Sequence, residues 1–222
     1  MRMDEVYMRY RKGFETKENI INVSRKLFYE LGYTKATVQN IADTANVPLG
    51  LIPYYFKTKD NIVLEINSKF YIEIYEFVSG KLRIRKNSYL KLFLVTSIYY
   101  RIILSDENNK KFFYEVLRNK SNFKTLSFST ERLFTLMNKE NNKNFTERDL
   151  DTIKIAEFGA RRELLLSYFE GKYDVDLEYL VGVLSSVTGR LFGIDENIIA
   201  EYKEREHTFS QEYDYSNIKF LV

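Results

Sequence analysis

Histidine and cysteine, the side chains that most often supply a nucleophile, a general base or a metal ligand near neutral pH, are almost missing from this sequence. There is one histidine, His207, and no cysteine. A nucleophilic triad needs a base oriented by an acid, and His207 lies in the polar stretch EREHTFSQE with no distinctive partner. Disulfides, a thiolate nucleophile and a cysteine-based zinc site are excluded by composition. There is no Gly-rich phosphate loop and no His/carboxylate cluster at metal-ligand spacing. Carboxylates such as Glu140 and Glu147 read as solvated helix surface. The sequence therefore predicts no catalytic residue, no metal and no cofactor, and points to a binding protein rather than an enzyme.

The chemistry that remains is recognition, and two sets of residues carry it. The first is aromatic: 16% of the chain, with 18 tyrosines and 17 phenylalanines. Each ring alone is best read as core. Several tyrosines together, however, place hydroxyls that need partners beside apolar walls, as a ligand pocket does. Tyr71, Tyr75, Tyr99, Tyr100, Phe112, Phe158 and Tyr168 are the candidates. Arg161 and Arg162 are adjacent in an apolar helix, where successive residues are ~100° apart, so one faces inward when the other faces solvent. A buried arginine needs an acid, from Glu157, Glu163 or a ligand, and Arg161 joins the pocket candidates.

The second set is the stretch TVQNIADTANVPLGLIPYYF, Thr37 to Phe56. Thr37 is a suitable N-cap with Asn40 three residues on, and Val38, Ile41, Ala42 and Ala45 recur at helical spacing. Asn46 can end that helix, Val47 is apolar in the turn, and Pro48 suits the first turn of a second helix. Ile52 and Phe56, four apart, face back onto the first helix, while Leu49, Leu51 and Tyr54 fall on other faces. Two short helices and a tight turn, one bracing and one offered to a major groove, is helix-turn-helix logic.

The elements that hold these sets are helical throughout. Thr16 can cap a helix through Leu31, with Ile20, Val23, Leu27 and Phe28 as its stripe and Gly32 as its stop. Ahead of it, residues 1–15 carry Arg2, Arg9, Arg11 and Lys12 and read either as a solvated terminus or as a basic arm. Thr58 caps a long helix from Lys59 towards Gly80. Beyond it the periodicity predicts helices near 88–104, 107–120, 123–139, 146–170, 174–192 and 195–207, with no sustained strand alternation. The only prolines, Pro48 and Pro53, both lie in the helix-turn-helix stretch. The start of the chain is too charged for a signal peptide, and the most apolar run, Tyr89 to Leu104, is shorter than a span of ~20 residues. A cytoplasmic protein with no membrane partner is expected. A net charge of +3 permits nucleic-acid binding without indicating it.

Residues Glu18 to Ile66 resemble the DNA-binding domain of the TetR family of bacterial transcriptional regulators. The resemblance rests on an ordered set: LFxxxGY (Leu27, Phe28, Gly32, Tyr33), a Thr37-capped helix containing IA, Val47-x-x-Gly50, then YYF followed by K-x-K-[DE]. It covers about fifty residues; the remainder agrees in length and helical character. The resemblance implies an all-α protein with a helix-turn-helix domain over 1–65, joined by a long helix to an effector-binding and dimerisation domain over 66–222. It implies phosphate contacts from Thr37, Tyr54, Tyr55 and Lys59, with Pro48, Leu49, Gly50, Leu51 and Pro53 on the DNA-facing segment. It further implies a homodimer on a pseudo-palindromic operator, most simply a repressor released by a small, largely apolar or aromatic effector. The alternative is control by a protein partner, or activation, without a small-molecule ligand. Dimerisation is expected through small residues on the last long helices: Ala156, Gly159, Ala160, Gly182, Ser185, Ser186 and Gly189.

This chain departs from the family pattern around Gly50, where Leu49 and Leu51 lack hydrogen-bonding groups and Pro53 stands where a tyrosine is common. Apolar readout of thymine methyls and an A·T-rich operator are expected. Pro53 would meet the carbonyl of Leu49 in a regular second turn, unless the first turn is tighter or displaced.

Overall fold

In the computed structural model of the chain, which describes residues 3–82, 87–119 and 131–222, every regular element among the described residues is an α-helix. Helix α1 runs from Met3–Leu31. Thr16 is therefore not a cap: it lies within the helix, and its hydroxyl donates to the Lys12 carbonyl at 2.8 Å, the back-bond that lets a threonine sit mid-helix. Arg11 pairs with Glu15 one turn on, on the exposed surface, while Arg2 lies outside the described residues. Gly32 ends the helix at φ +84°, in the left-handed region that glycine occupies without strain.

Helix α2 (Val38–Thr44) has the expected capping box, in which the Thr37 hydroxyl accepts from the Asn40 amide and the Asn40 side chain accepts from Thr37. Ile41 and Ala42 are buried, and Asn46 turns the chain with φ 53°. Helix α3 (Leu51–Phe56) follows, then α4 (Lys59–Lys81), capped by Thr58. The conflict posed by Pro53 is resolved by displacement. The Leu51 and Ile52 amides bond back three residues, to the carbonyls of Pro48 and Leu49, so the helix proper begins at Leu51. Pro53 then sits in its first turn, where a missing N–H leaves no bond unmade.

The body comprises α5 (Ser88–Leu104), α6 (Glu107–Arg118), α7 (Glu131–Glu140), α8 (Glu147–Phe169), α9 (Leu177–Leu191) and α10 (Glu196–Glu212). Asp106, Thr146 and Asp176 cap α6, α8 and α9 by accepting from backbone amides. Helix α5 explains the most apolar run: α4, α7 and α9 pack around it, and its residues are buried on every face, as expected of a helix apolar all round. The expected 123–139 helix is described only from Glu131, and the expected break at 120–121 lies outside the described residues. The last helix extends beyond His207 to Glu212. Helix α4 carries Ile62 and Ile66 into the N-terminal helices and Phe70, Ile74 and Val78 into the body, within one continuous apolar core.

Helix α9 corrects an expectation. Ser185, Ser186 and Gly189 were expected on a dimer surface, but all three are buried within the chain. A Cβ at Gly189 would stand 1.9 Å from the Tyr89 hydroxyl, so the glycine exists to let α5 approach. Ala156, Gly159 and Ala160 on α8 are exposed, and a Cβ at Gly159 meets nothing within 4 Å. Gly182 is half-buried beside Lys203 of α10. After α10 the chain turns back, and residues 213–222 end with Ile218, Phe220 and Leu221 buried.

Candidate nucleic-acid interface and internal cavity

Ile52 and Phe56 are buried at 1% and 3% exposure and anchor α3, so the opposite side of that segment faces outward. Pro48, Leu49, Gly50, Pro53 and Tyr54 are exposed, with Leu51 half-buried. Leu49 at 46% and Tyr54 at 75% exposure are unusual for side chains of their size, and burying either against a partner would be favourable. Thr37 is exposed at the start of α2. Tyr55 is half-buried; its ring meets Tyr54 edge-on at 5.0 Å and Phe56 at 6.3 Å. Phe28 instead stacks with Phe112 and Tyr33.

Lys59 has internal work. Its ammonium donates to the carbonyls of Tyr33 and Ala36 at 2.7 and 3.2 Å and lies 4.0 Å from the centre of the Tyr33 ring. Burial pulls its pKa down, an effect opposed by Asp60 and Glu115. Three ammonium hydrogens and two carbonyl partners leave geometry for one more acceptor. Lys35, between the two carbonyls that Lys59 holds, and Lys57, which closes α3 at φ 60°, are exposed cations that the sequence reading did not single out. The signal for Lys57 was present in the YYF-K-x-K motif.

The second site is a cavity of ≈ 70 Å³ between α4, α5, α6 and α8. Five of the eight expected pocket residues meet there: Tyr71, Tyr99, Tyr100, Phe158 and Arg161. Phe112 does not. It is fully buried in the core, and its neighbour Phe113, a helical step away, lines the cavity in its place. Tyr75 lies on a groove near Lys91 and Tyr202, and Tyr168 on another beside Tyr114 and Phe169. These three face elsewhere because a helix turns ~100° per residue, and the sequence did not reveal which face each neighbour covers.

Of the cations around the cavity, Lys154 and Arg161 pair with acids, whereas Arg162 meets a backbone carbonyl. Arg161 pairs with Glu157 at 2.7 Å, with both side chains largely buried. It also donates to the Leu184 carbonyl and the Thr188 hydroxyl at 3.0 and 2.9 Å, and Thr188 in turn donates to Glu157. Of the acids open to Arg161 in the sequence, Glu157 is the one used. Arg162 donates through Nε to the Leu117 carbonyl at 3.0 Å, and the Tyr99 hydroxyl donates to Asn67. Tyr71 is different: its buried hydroxyl has no hydrogen-bond partner. Burial raises the pKa of Tyr71 and Tyr99 well above the usual phenol range, and pushes Tyr100 up to about 12, so all three are protonated at neutral pH. Among the described residues there is no group of three or more His, Asp or Glu able to hold a metal ion, and no helix long and apolar enough to cross a membrane.

The helix-turn-helix geometry can now be set beside known proteins. Residues 20–66 match the family model described as bacterial regulatory proteins, tetR family. That segment belongs to the TetR family. Solved structures share the fold of this chain over most of its length. RolR in complex with resorcinol is 18% identical, covering 88% of this chain and 96% of RolR, with a TM-score of 0.63. A TetR transcriptional regulator from Rhodococcus sp. RHA1 is 12% identical over 80% of this chain and 96% of its own, with a TM-score of 0.54. SmeT, the repressor of the Stenotrophomonas maltophilia multidrug efflux pump SmeDEF, is 16% identical over 78% and 88%, with a TM-score of 0.50. No curated protein matches the chain by sequence. Its architecture is that of the family: a helix-turn-helix bundle, a long connecting helix and a helical body.

Proposed function

We propose that this TetR-like regulator binds a pseudo-palindromic operator as a homodimer, represses transcription, and is released by a small, largely apolar or aromatic effector. The observation that carries the reading is the outward face of the matched domain, where Leu49 in the turn and Pro53 and Tyr54 on the helix that Ile52 and Phe56 hold in place are exposed. Leu49 and Leu51 read thymine methyls by apolar contact, and Thr37, Tyr54, Tyr55 and the remaining donor of Lys59 set register on phosphates. The dimer forms through the exposed face of α8, where Ile155, at 61% exposure, adjoins Ala156, Gly159 and Ala160.

The effector binds the cavity between α4, α5, α6 and α8. A volume of ≈ 70 Å³ exceeds the ~30 Å³ share of one liquid water. It falls below the ~300–1,000 Å³ of clefts for drug-sized ligands, so the effector is small. Arg161 and Lys154 are paired with acids of the chain while Arg162 meets the Leu117 carbonyl, and the unpartnered Tyr71 hydroxyl supplies one hydrogen bond. The bound resorcinol of RolR, whose fold is shared, supports a ligand of that size.

The reading is tested by mobility shift of the DNA flanking the gene, at 50 and 200 mM salt, with the full chain. A retarded complex of dimer size, weakening with salt, is expected; free DNA at low salt at micromolar protein would overturn it.

A further inference from the structure

The C-terminal segment after α10 has no part in the function proposed above, yet Ile218, Phe220 and Leu221 within it are buried. From Tyr213 it runs back along α4 towards the helix-turn-helix domain. Tyr215 meets Phe77 edge-on at 6.2 Å, and Phe220 reaches Phe70 at 5.0 Å between ring centres. Phe70 and Phe77 lie seven residues apart on α4, about 10 Å along its axis. Phe220 is 2% exposed and also touches Phe112 and Phe113 of α6, at 5.8 and 6.3 Å. Phe112 stacks on Phe28 of α1 at 4.9 Å. One ring from the end of the chain thus closes a cluster whose members belong to α1, α4 and α6. The backbone is fastened as well, since the Lys219 carbonyl accepts from Arg25 of α1 at 2.8 Å.

We infer that residues 213–222 are an intramolecular strap that fixes the helix-turn-helix domain on the body, with Phe220 as the positioning residue at the junction of α1, α4 and α6. Helices α1 and α4 both enter the N-terminal domain, and α1 packs on α6 and α4 on α5, so the angle between that domain and the body is set at these contacts, with Phe220 touching both α4 and α6. An apolar wedge seated at that junction holds one angle, because a well-packed core resists continuous deformation. The strap also borders the cavity: Phe113 lines it, and Tyr99, another lining residue, stacks on Phe70 at 5.3 Å. The cavity and Phe220 therefore share the Phe113 ring.

In a dimer the angle of each domain sets the separation of the two α3 helices, and half-sites must match that separation. The inference rests on the proposed dimeric DNA binding and is tested on spacing rather than on affinity alone. With an operator obtained by selection from random DNA, binding of the full chain is measured on that operator and on one lengthened by a base pair between half-sites, for wild type, Phe220→Ala and Phe220→Leu. Wild type should prefer the native spacing by tenfold or more. Phe220→Ala should reduce that preference severalfold while binding to random DNA is retained, and Phe220→Leu should fall between. If the alanine variant does not fold, the leucine variant decides. A lowered melting temperature with an unchanged spacing preference would show Phe220 to be core filling and overturn the strap. Absence of any DNA binding by wild type would instead overturn the function on which the strap rests.

Discussion

Glu157, Arg161 and Thr188 close a buried network in which each charge is answered, and removing one member exposes the cost of the others. Glu157→Gln leaves the Arg161 guanidinium without its counter-ion at a site where both side chains are largely buried. Breaking such a pair costs about 3–5 kcal/mol, so urea unfolding of the variant should show a loss of that order, and a change under 1 kcal/mol would mean that water reaches the pair. Lys59 makes a different residue-scale prediction. Lys59→Ala removes the charge proposed to face a phosphate together with the donor to the Tyr33 and Ala36 carbonyls. Affinity should fall on operator and random DNA alike, with the salt dependence flattened by about one unit of slope. A loss confined to the operator would assign Lys59 to base readout instead. The partner of Arg161 was left by sequence at Glu157, Glu163 or a ligand's acid; helix spacing favours Glu157, four residues back, over Glu163, two residues on, and only three-dimensional placement could choose between Glu157 and a ligand.

At the scale of elements, several helix boundaries were legible from a chemical cap or stop, although Asp176, which caps α9, was read as lying inside the helix. Thr37, Thr58 and Thr146 cap helices, and Gly32 and Gly171 end them with positive φ. Thr16 misled because a threonine one turn past a polar stretch serves equally well inside a helix, bonding back to Lys12. Pro53 was legible as an anomaly and not as a solution: the displaced start of α3 depends on the turn bonds from Leu51 and Ile52. The small residues of α9 show the sharper limit, since small side chains mark close approach without naming the neighbour. Gly189→Leu should overpack α9 against Tyr89 and cost at least about 1–3 kcal/mol in thermal or denaturant unfolding, whatever the protein concentration. Ile155→Lys, on the exposed face of α8, should leave that stability alone and shift sedimentation towards monomer. Gly189→Leu dissociating a stably folded dimer would return the interface to α9.

For the whole molecule, the ordered motif from Leu27 to Lys59 was enough to read the family, because a helix-turn-helix must meet DNA with particular residues at particular places. The body was readable only as helices. Which rings line the cavity depends on helix rotation, and the return of residues 213–222 onto α1 and α6 has no local signature, since Phe220 finds its partners more than a hundred residues away in the chain. The central claim is that this assembly offers an apolar-faced α3 to a two-fold operator, and selection from a random double-stranded DNA library with the purified full chain tests it most directly. The account predicts enrichment of a pseudo-palindrome with half-sites centred about one helical turn apart, ~34 Å or a multiple, rich in A·T, and weakened when contacted thymines are replaced by uracils. No enrichment at low salt, or a single unrepeated G·C-rich site indifferent to thymine methyls, would contradict it.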